Sequence, residues 1–297
     1  MAKKHNLLFI FTDEQRFDTM ACYGNSFIHT PNLNALSKES FIFENAYVSQ
    51  PVCTPSRSTI LTGLYPHTNG CISNNVPLLP EIKTIAEMVS EEYLCAYYGK
   101  WHLGDEIIPQ HGFEKWVSIE DVYRPYYSRE EYLAYFSSHH HFLIENGFTP
   151  DIESKGAKIF SRWMAANLPE RFTKASFLGE EAARFIKENC NRPFILYVNF
   201  LEPHMPFTGP FNKMYPPEKL PTNPHFLQRP PKNASLVNRI ISDFYNSKYS
   251  GYNLKNEKDW RKIRAQYLGL VTLVDKAVGV ILRALYECGI ADNTIVV

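Results

Sequence analysis

Leu7-Leu8-Phe9-Ile10-Phe11 is apolar at every position and gives way at once to Thr12-Asp13-Glu14-Gln15-Arg16. An unbroken apolar run fits a strand buried on both faces of a parallel sheet. Polar residues just past its end then lie at the carboxyl edge, where open α/β sheets hold their ligands. The same pattern recurs at Leu94 to Tyr98, which leads into Gly99-Lys100-Trp101-His102, and at Phe194 to Val198, which leads into Glu202-Pro203-His204. A fourth run, Thr294 to Val297, ends the chain. Between these runs the period changes to that of helices. Thr84-Ile85-Ala86-Glu87 reads as a capping box opening a helix through Ser90. Ser176 can cap a helix running to about Lys187. From Trp260 to about Glu287 the apolar positions Ile263, Tyr267, Leu270, Val271, Val274, Val278, Ile281, Leu282 and Leu285 keep helical spacing, and Gly289 can end that helix. Helices alternating with buried strands predict an α/β fold around a largely parallel sheet.

Residues 105–172 hold Trp116, Tyr123, Tyr126, Tyr127, Tyr132, Tyr135 and Phe136, and residues 203–235 are rich in proline. Both fit the sheet pattern poorly. They read as excursions over the sheet edge, either shaping a substrate pocket or packing on the surface.

Length and charge narrow the picture. The 297 residues suit one large α/β domain. Lys plus Arg and Asp plus Glu each number 31, which argues against nucleic-acid binding through a broad basic field. The early apolar run is too short for a signal-peptide core or a membrane span, so a soluble, cytoplasmic chain is expected. Six cysteines form no CxxC pair, and Cys22, Cys71, Cys95, Cys190 and Cys288 are expected as reduced thiols.

The segment richest in chemistry is Pro51-Val52-Cys53-Thr54-Pro55-Ser56-Arg57. Thr54 can be a helix N-cap with Pro55 at the first helical position. Cys53 would then sit just before a helix N-terminus, where free N–H groups favour an anion, and Arg57 in the first turn adds a fixed positive fork. A polar nucleophile there suggests transfer of a charged group; a buried inert thiol is the alternative.

Four segments together resemble the formylglycine-dependent sulfatases of the alkaline-phosphatase-like superfamily. They are Cys53-Thr54-Pro55-Ser56-Arg57 followed by Leu61-Thr62-Gly63-Leu64-Tyr65-Pro66-His67; Thr12-Asp13; Gly99-Lys100-Trp101-His102-Leu103-Gly104; and Pro203-His204-Met205-Pro206. The resemblance implies an α/β/α sandwich, with residues 1–297 forming the N-terminal catalytic portion and 105–172 contributing to the substrate pocket. It also implies that Cys53 is oxidised by a formylglycine-generating, sulfatase-maturing enzyme. A hydrated aldehyde then offers two hydroxyls on one carbon: one attacks the sulfate ester, and deprotonation of the other expels sulfate. The substrate class implied is a sulfated small molecule or sugar.

The resemblance further assigns a divalent cation, most often calcium with magnesium as the alternative, to Asp13, Glu14 and residue 53. Hard oxygen ligands suit such ions. The second acidic position is often Asp in the family, and Glu14 has a longer arm. By the same resemblance Arg57 holds the formylglycine hydrate, Lys100 binds a sulfate oxygen, His102 takes the proton that drives collapse, and His204 contacts the sulfate or protonates the departing oxygen. Lys100 and His102, two apart on extended backbone, would point the same way. His139-His140-His141 is expected as a solvated run, and His67 as structural.

Two other readings stand beside this one. Phosphonate and phosphate ester hydrolases share the fold and can share the Cys-Pro-Arg motif. The family's metal site also has a second half, an Asp followed by Asn or His after a strand of the Thr-Ile-Val-Val type. The chain stops at Val297, directly before that loop is expected. Asp121, Asp151, Asp243 and Asp275 do not follow a buried strand. The third reading is therefore an inactive, truncated sulfatase-like fragment.

Overall fold

The computed structural model describes residues 4–222, 228–245, 247, 254 and 256–297. The strands are β1 (Asn6–Phe11), β2 (Leu94–Gly99), β3 (Lys115–Val117), β4 (Ile152–Ser154), β5 (Ala157–Ile159), β6 (Phe194–Asn199) and β7 (Thr294–Val296). The helices are α1 (Pro31–Lys38), α2 (Cys53–Thr62), α3 (Pro66–Asn69), α4 (Ile85–Met88), α5 (Ser138–Glu145), α6 (Arg162–Ala166), α7 (Lys174–Asn189), α8 (Leu236–Tyr245) and α9 (Glu257–Glu287). Five strands form one parallel sheet in the order β3-β2-β6-β1-β7, and β4 and β5 form a separate antiparallel hairpin.

The apolar runs form strands: β2 and β6 are buried throughout, β1 is largely half-buried, and Ile295 of β7 is exposed. Their alternate residues serve two cores. Leu8, Leu94, Ala96, Tyr98, Phe194, Leu196 and Val198 pack on the buried faces of α7 and α9. Cys95, Tyr97, Ile195 and Tyr197 face the other way, toward Leu61 of α2, Ala86 of α4, Trp101 and Phe113. This two-residue alternation produces the α/β/α sandwich. The long helices approach closely at Gly179, where an added Cβ would lie 3.1 Å from Ala277. Asp275 is fully buried and accepts the backbone N–H groups of Asn32 and Leu33, so α9 supplies the N-terminal partner that α1 lacks locally.

Several local expectations differ in detail. The capping box at Thr84 forms, but its helix ends at Met88 because the backbone turns extended at Val89. The cap of α7 is Thr173, which accepts from Ser176 N–H, so the helix starts before Ser176. Asn256 caps α9 by accepting from Asp259 N–H, and Gly289 beyond its end is left-handed.

The aromatic stretch 105–172 is not wholly an excursion. Lys115–Val117 pairs with Ala96–Tyr98 and forms the sheet edge. The histidine run is not solvated: His139 and His140 are buried in α5, and of the three only His141 is exposed. His139 bonds Phe172 O at 2.9 Å, and His140 stacks on Phe136 at 4.3 Å. Helix geometry sends neighbouring side chains apart, so the three do not converge. Part of the proline-rich stretch, 223–227, lies outside the described residues. Among the described residues no helix is long and apolar enough to cross a membrane.

Glu120, just beyond β3, is fully buried and bonded to both Arg162 and Lys174. Burial pushes its carboxyl up, but the two cations outweigh this and hold it below the usual carboxylate range. Glu120→Ala strands buried Lys174 and part-buried Arg162 and is expected to cost roughly 3 kcal/mol in urea unfolding. A loss under about 1 kcal/mol would contradict the pairing.

Candidate active site

Three strand ends and one helix start converge. Asp13 follows β1, Lys100 and His102 follow β2, His204 follows β6, and Cys53 opens α2. The convergence depends on Gly99. Its φ is 109°, and a Cβ there would lie 2.0 Å from Asn199 O. Only glycine lets β2 turn against β6 and carry Lys100 inward.

The start of α2 differs from the expected one. Val52 is the N-cap, without a side-chain bond, and Cys53 is the first helical residue. Thr54 does not cap: its hydroxyl donates to His102 O at 2.7 Å, and its N–H donates to Asn74 Oδ1 at 3.0 Å. Cys53 is thus held at an open helix end, with Sγ 3.9 Å from Asp13 Oδ1.

Asp13 lies between two cations. Lys100 Nζ is 2.5 Å and Arg57 Nη2 3.4 Å from Asp13 Oδ2. Burial raises the Asp13 pKa, but Arg57 and Lys100 prevail and lower it to about 2. Lys100 and Arg57 are almost fully buried. Arg57 Nη1 donates to Lys100 O at 2.8 Å, whereas its Nε and Nη2 have no hydrogen-bond partner among the described residues. Asn199 Nδ2 is likewise buried and unpartnered. Buried donors without acceptors carry a desolvation cost, which an anionic oxygen would relieve.

The two histidines differ in state. His102 Nε2 lies 2.9 Å from Asn75 Oδ1, an acceptor, so Nε2 carries the hydrogen and Nδ1 a lone pair. Nδ1 is buried without a partner. Burial, reinforced by Lys100, Arg57 and Arg162, lowers the His102 pKa to about 3, so the ring is neutral and only weakly basic. His102 has φ 56°, so it shares a direction with Lys100 through a left-handed turn and not through strand alternation. Both reach Tyr123, on which His102 stacks at 4.0 Å. His204 Nδ1 donates to Met205 O at 2.7 Å, which leaves Nε2 with a lone pair 3.4 Å from Glu14 Oε1.

Asp13, Cys53 and His204 each offer a ligand atom, all within 4.8 Å of one another. Glu14 is exposed, with φ 62°, and stands outside this group beside His204. With a thiolate at position 53 the S/N/O donor set would suit zinc. With an oxygen-bearing group there it becomes the harder set that suits calcium or magnesium. The thiol itself is not activated: burial raises its pKa, and the pull of Lys100 and Arg57 does not overcome it.

Sequence reasoning missed Asn75, Asn199 and Glu106. Glu106 accepts the N–H groups of Trp101 and His102 and so clamps the loop bearing Lys100 and His102. Burial raises its pKa to about 7. Its only sequence signal was an acidic residue next to an apolar segment, which is too common to single out.

The sulfatase family model matches residues 5–297. An ulvan-active sulfatase of Formosa agariphila is 28% identical over 99% of this chain and 49% of its own length. Iduronate 2-sulfatase of Mus musculus is 28% identical over 98% of this chain and 53% of its own. The phosphonate monoester hydrolase structure of Agrobacterium radiobacter matches with TM-score 0.70 at 22% identity, over 99% of this chain and 61% of that one. The chain spans about half the length of the curated relatives it matches. The match over nearly every residue, on an alkaline-phosphatase-like fold, means that the chain belongs to the sulfatase family.

Proposed function

We propose that this site hydrolyses sulfate monoesters, with residue 53 as nucleophile after its oxidation to formylglycine. The observation that carries the reading is the grouping of Asp13, Cys53 and His204 at the start of α2 beside two buried cations, Arg57 and Lys100. An unactivated thiol is a poor nucleophile, so the position calls for a different oxygen-bearing group. Oxidised, residue 53 supplies one hydroxyl for attack on sulfur and a second for release of sulfate.

The chain's own residues divide the remaining work. Arg57, through Nε and Nη2, neither of which makes a hydrogen bond among the described residues, binds anionic oxygen at residue 53 or on the ester. Lys100 places its charge on the equatorial oxygens, where negative charge concentrates. His102 accepts a proton at Nδ1. Asp13 and residue 53 would hold a divalent cation, most readily calcium, with Glu14 joining them from its place beside His204; the ion's charge would supplement that of Arg57 and Lys100. Residues 1–297 act as a catalytic portion whose pocket is shaped by 105–172, because Tyr123 from that stretch stacks on His102. A sulfated sugar fits the names of the relatives, and formylglycine requires a maturing enzyme as partner.

His204→Ala is expected to lower kcat on an aryl sulfate by roughly 10²–10⁴, the range of one general acid or base. An unchanged kcat would remove His204 from the reacting group.

The second reading, phosphonate or phosphate ester hydrolysis, is favoured by the likeness of the fold to phosphonate monoester hydrolase structures. A panel of 4-nitrophenyl sulfate, a phosphate diester and a phosphonate monoester decides between them. Preference for the sulfate supports the first reading. Preference for either phosphorus ester overturns it.

A further inference from the structure

Arg162 lies at the first position of α6 and lines the cleft that also contains His204 and Lys174. Its Nε and Nη2 donate to Glu120 Oε2 at 2.9 and 2.6 Å, and Nη2 also donates to the Tyr123 hydroxyl at 2.8 Å. Nη1 has no partner among the described residues and is not buried, and the side chain as a whole is 21% exposed. The guanidinium is therefore fixed on two sides and open on the third.

Glu120 alone does not neutralise both of its cations. Glu120 is shared between Arg162 and Lys174, so the trio keeps one net positive charge.

One ring links Arg162 to that centre. Arg162 Cζ lies 5.4 Å from the Tyr123 centroid, Lys100 Nζ lies 5.7 Å from it, and the His102 ring stacks on it at 4.0 Å. Both cations thus border the same aromatic ring. A substrate with one anion at Lys100 would meet a second cation beside the same ring.

Resting on the hydrolase reading above, we propose that Arg162 binds a second anionic group of the substrate, so that the preferred ester bears a further carboxylate or sulfate. An open, pre-oriented guanidinium is suited to such oxygens, and ordering it costs little on binding. Glu120 and Tyr123 act as its positioning residues.

The test uses the full natural chain carrying formylglycine, and three esters: 4-nitrophenyl sulfate, its ring-carboxylated analogue and its ring-sulfonated analogue. The parent is expected to favour at least one charged analogue by about tenfold in kcat/KM, mainly through KM. The favoured analogue tells carboxylate from sulfate. Arg162→Gln should erase that preference, Arg162→Lys should keep part of it, and Tyr123→Phe should weaken it by freeing the guanidinium. Circular dichroism checks folding, and if Arg162→Gln fails to fold the ratio is read from the other two variants. Equal use of all three esters by the parent would overturn the proposal. So would variants that lower all three rates in the same proportion. Turnover of none by the parent would overturn the hydrolase reading itself, and this inference with it.

Discussion

Cys53→Ala is expected to abolish sulfate-ester turnover, by a factor on the order of 10⁶, while the fold survives. The residue is half-buried at the first position of α2, and its nearest polar contact is the 3.9 Å approach to Asp13. Little packing depends on its sulfur, so unfolding should be almost unchanged. Everything covalent depends on it, since Asp13, Arg57 and Lys100 offer charge but no group able to form and discharge a sulfate ester. Cys53→Ser tests the same point more narrowly. It keeps a hydroxyl in nearly the same place but has no second oxygen for release, so at most a single turnover is expected. Steady-state assays and urea unfolding check both variants. Multiple turnover by either would remove residue 53 from the covalent step.

Asp13→Asn is expected to be costly in two ways. The carboxylate is the sole acid in ion-pair contact with Lys100 and Arg57 among the described residues. Its loss leaves two buried cations facing each other, a change of roughly 3–5 kcal/mol in stability. It also removes the one buried carboxylate of the candidate ligand group, so calcium affinity by calorimetry and turnover should fall together. The pH dependence has a definite sign. The folded pKa, about 2, lies below the ordinary value of 3.8, so the unfolded chain binds the proton more readily. Asp13 therefore contributes its full stability above about pH 4 and loses it as pH falls toward 2. The Asn variant should lack this acid-linked loss. Equal stability of the two proteins at pH 7 would contradict the role of Asp13 as the neutralising partner.

The strands were legible because a place inside the sheet leaves an unbroken apolar run, fully buried at Leu94–Tyr98 and Phe194–Val198 and half-buried at Leu7–Phe11. Their carboxyl ends then pointed to Asp13, Lys100 and His204. Features set by distant partners were not legible. Thr54 looks like a cap, but the carbonyl of His102, 48 residues on, takes its hydroxyl. Lys115–Val117 reads as loop because only its pairing with β2 makes it a strand. His139 and His140 look solvated because nothing nearby announces the Phe172 carbonyl and the Phe136 ring that bury them. Asn75 and Asn199 carry no local signal, and their importance comes from what the fold sets beside them.

Peptide mass spectrometry of residue 53 tests the central claim most directly. Trypsin releases residues 39–57, in which Cys53 is the sole cysteine. From a host that matures other sulfatases, the peptide is expected to carry an aldehyde at position 53, captured by a hydrazine reagent, with the other cysteines still thiols. An unmodified thiol in protein that hydrolyses sulfate esters would contradict the account.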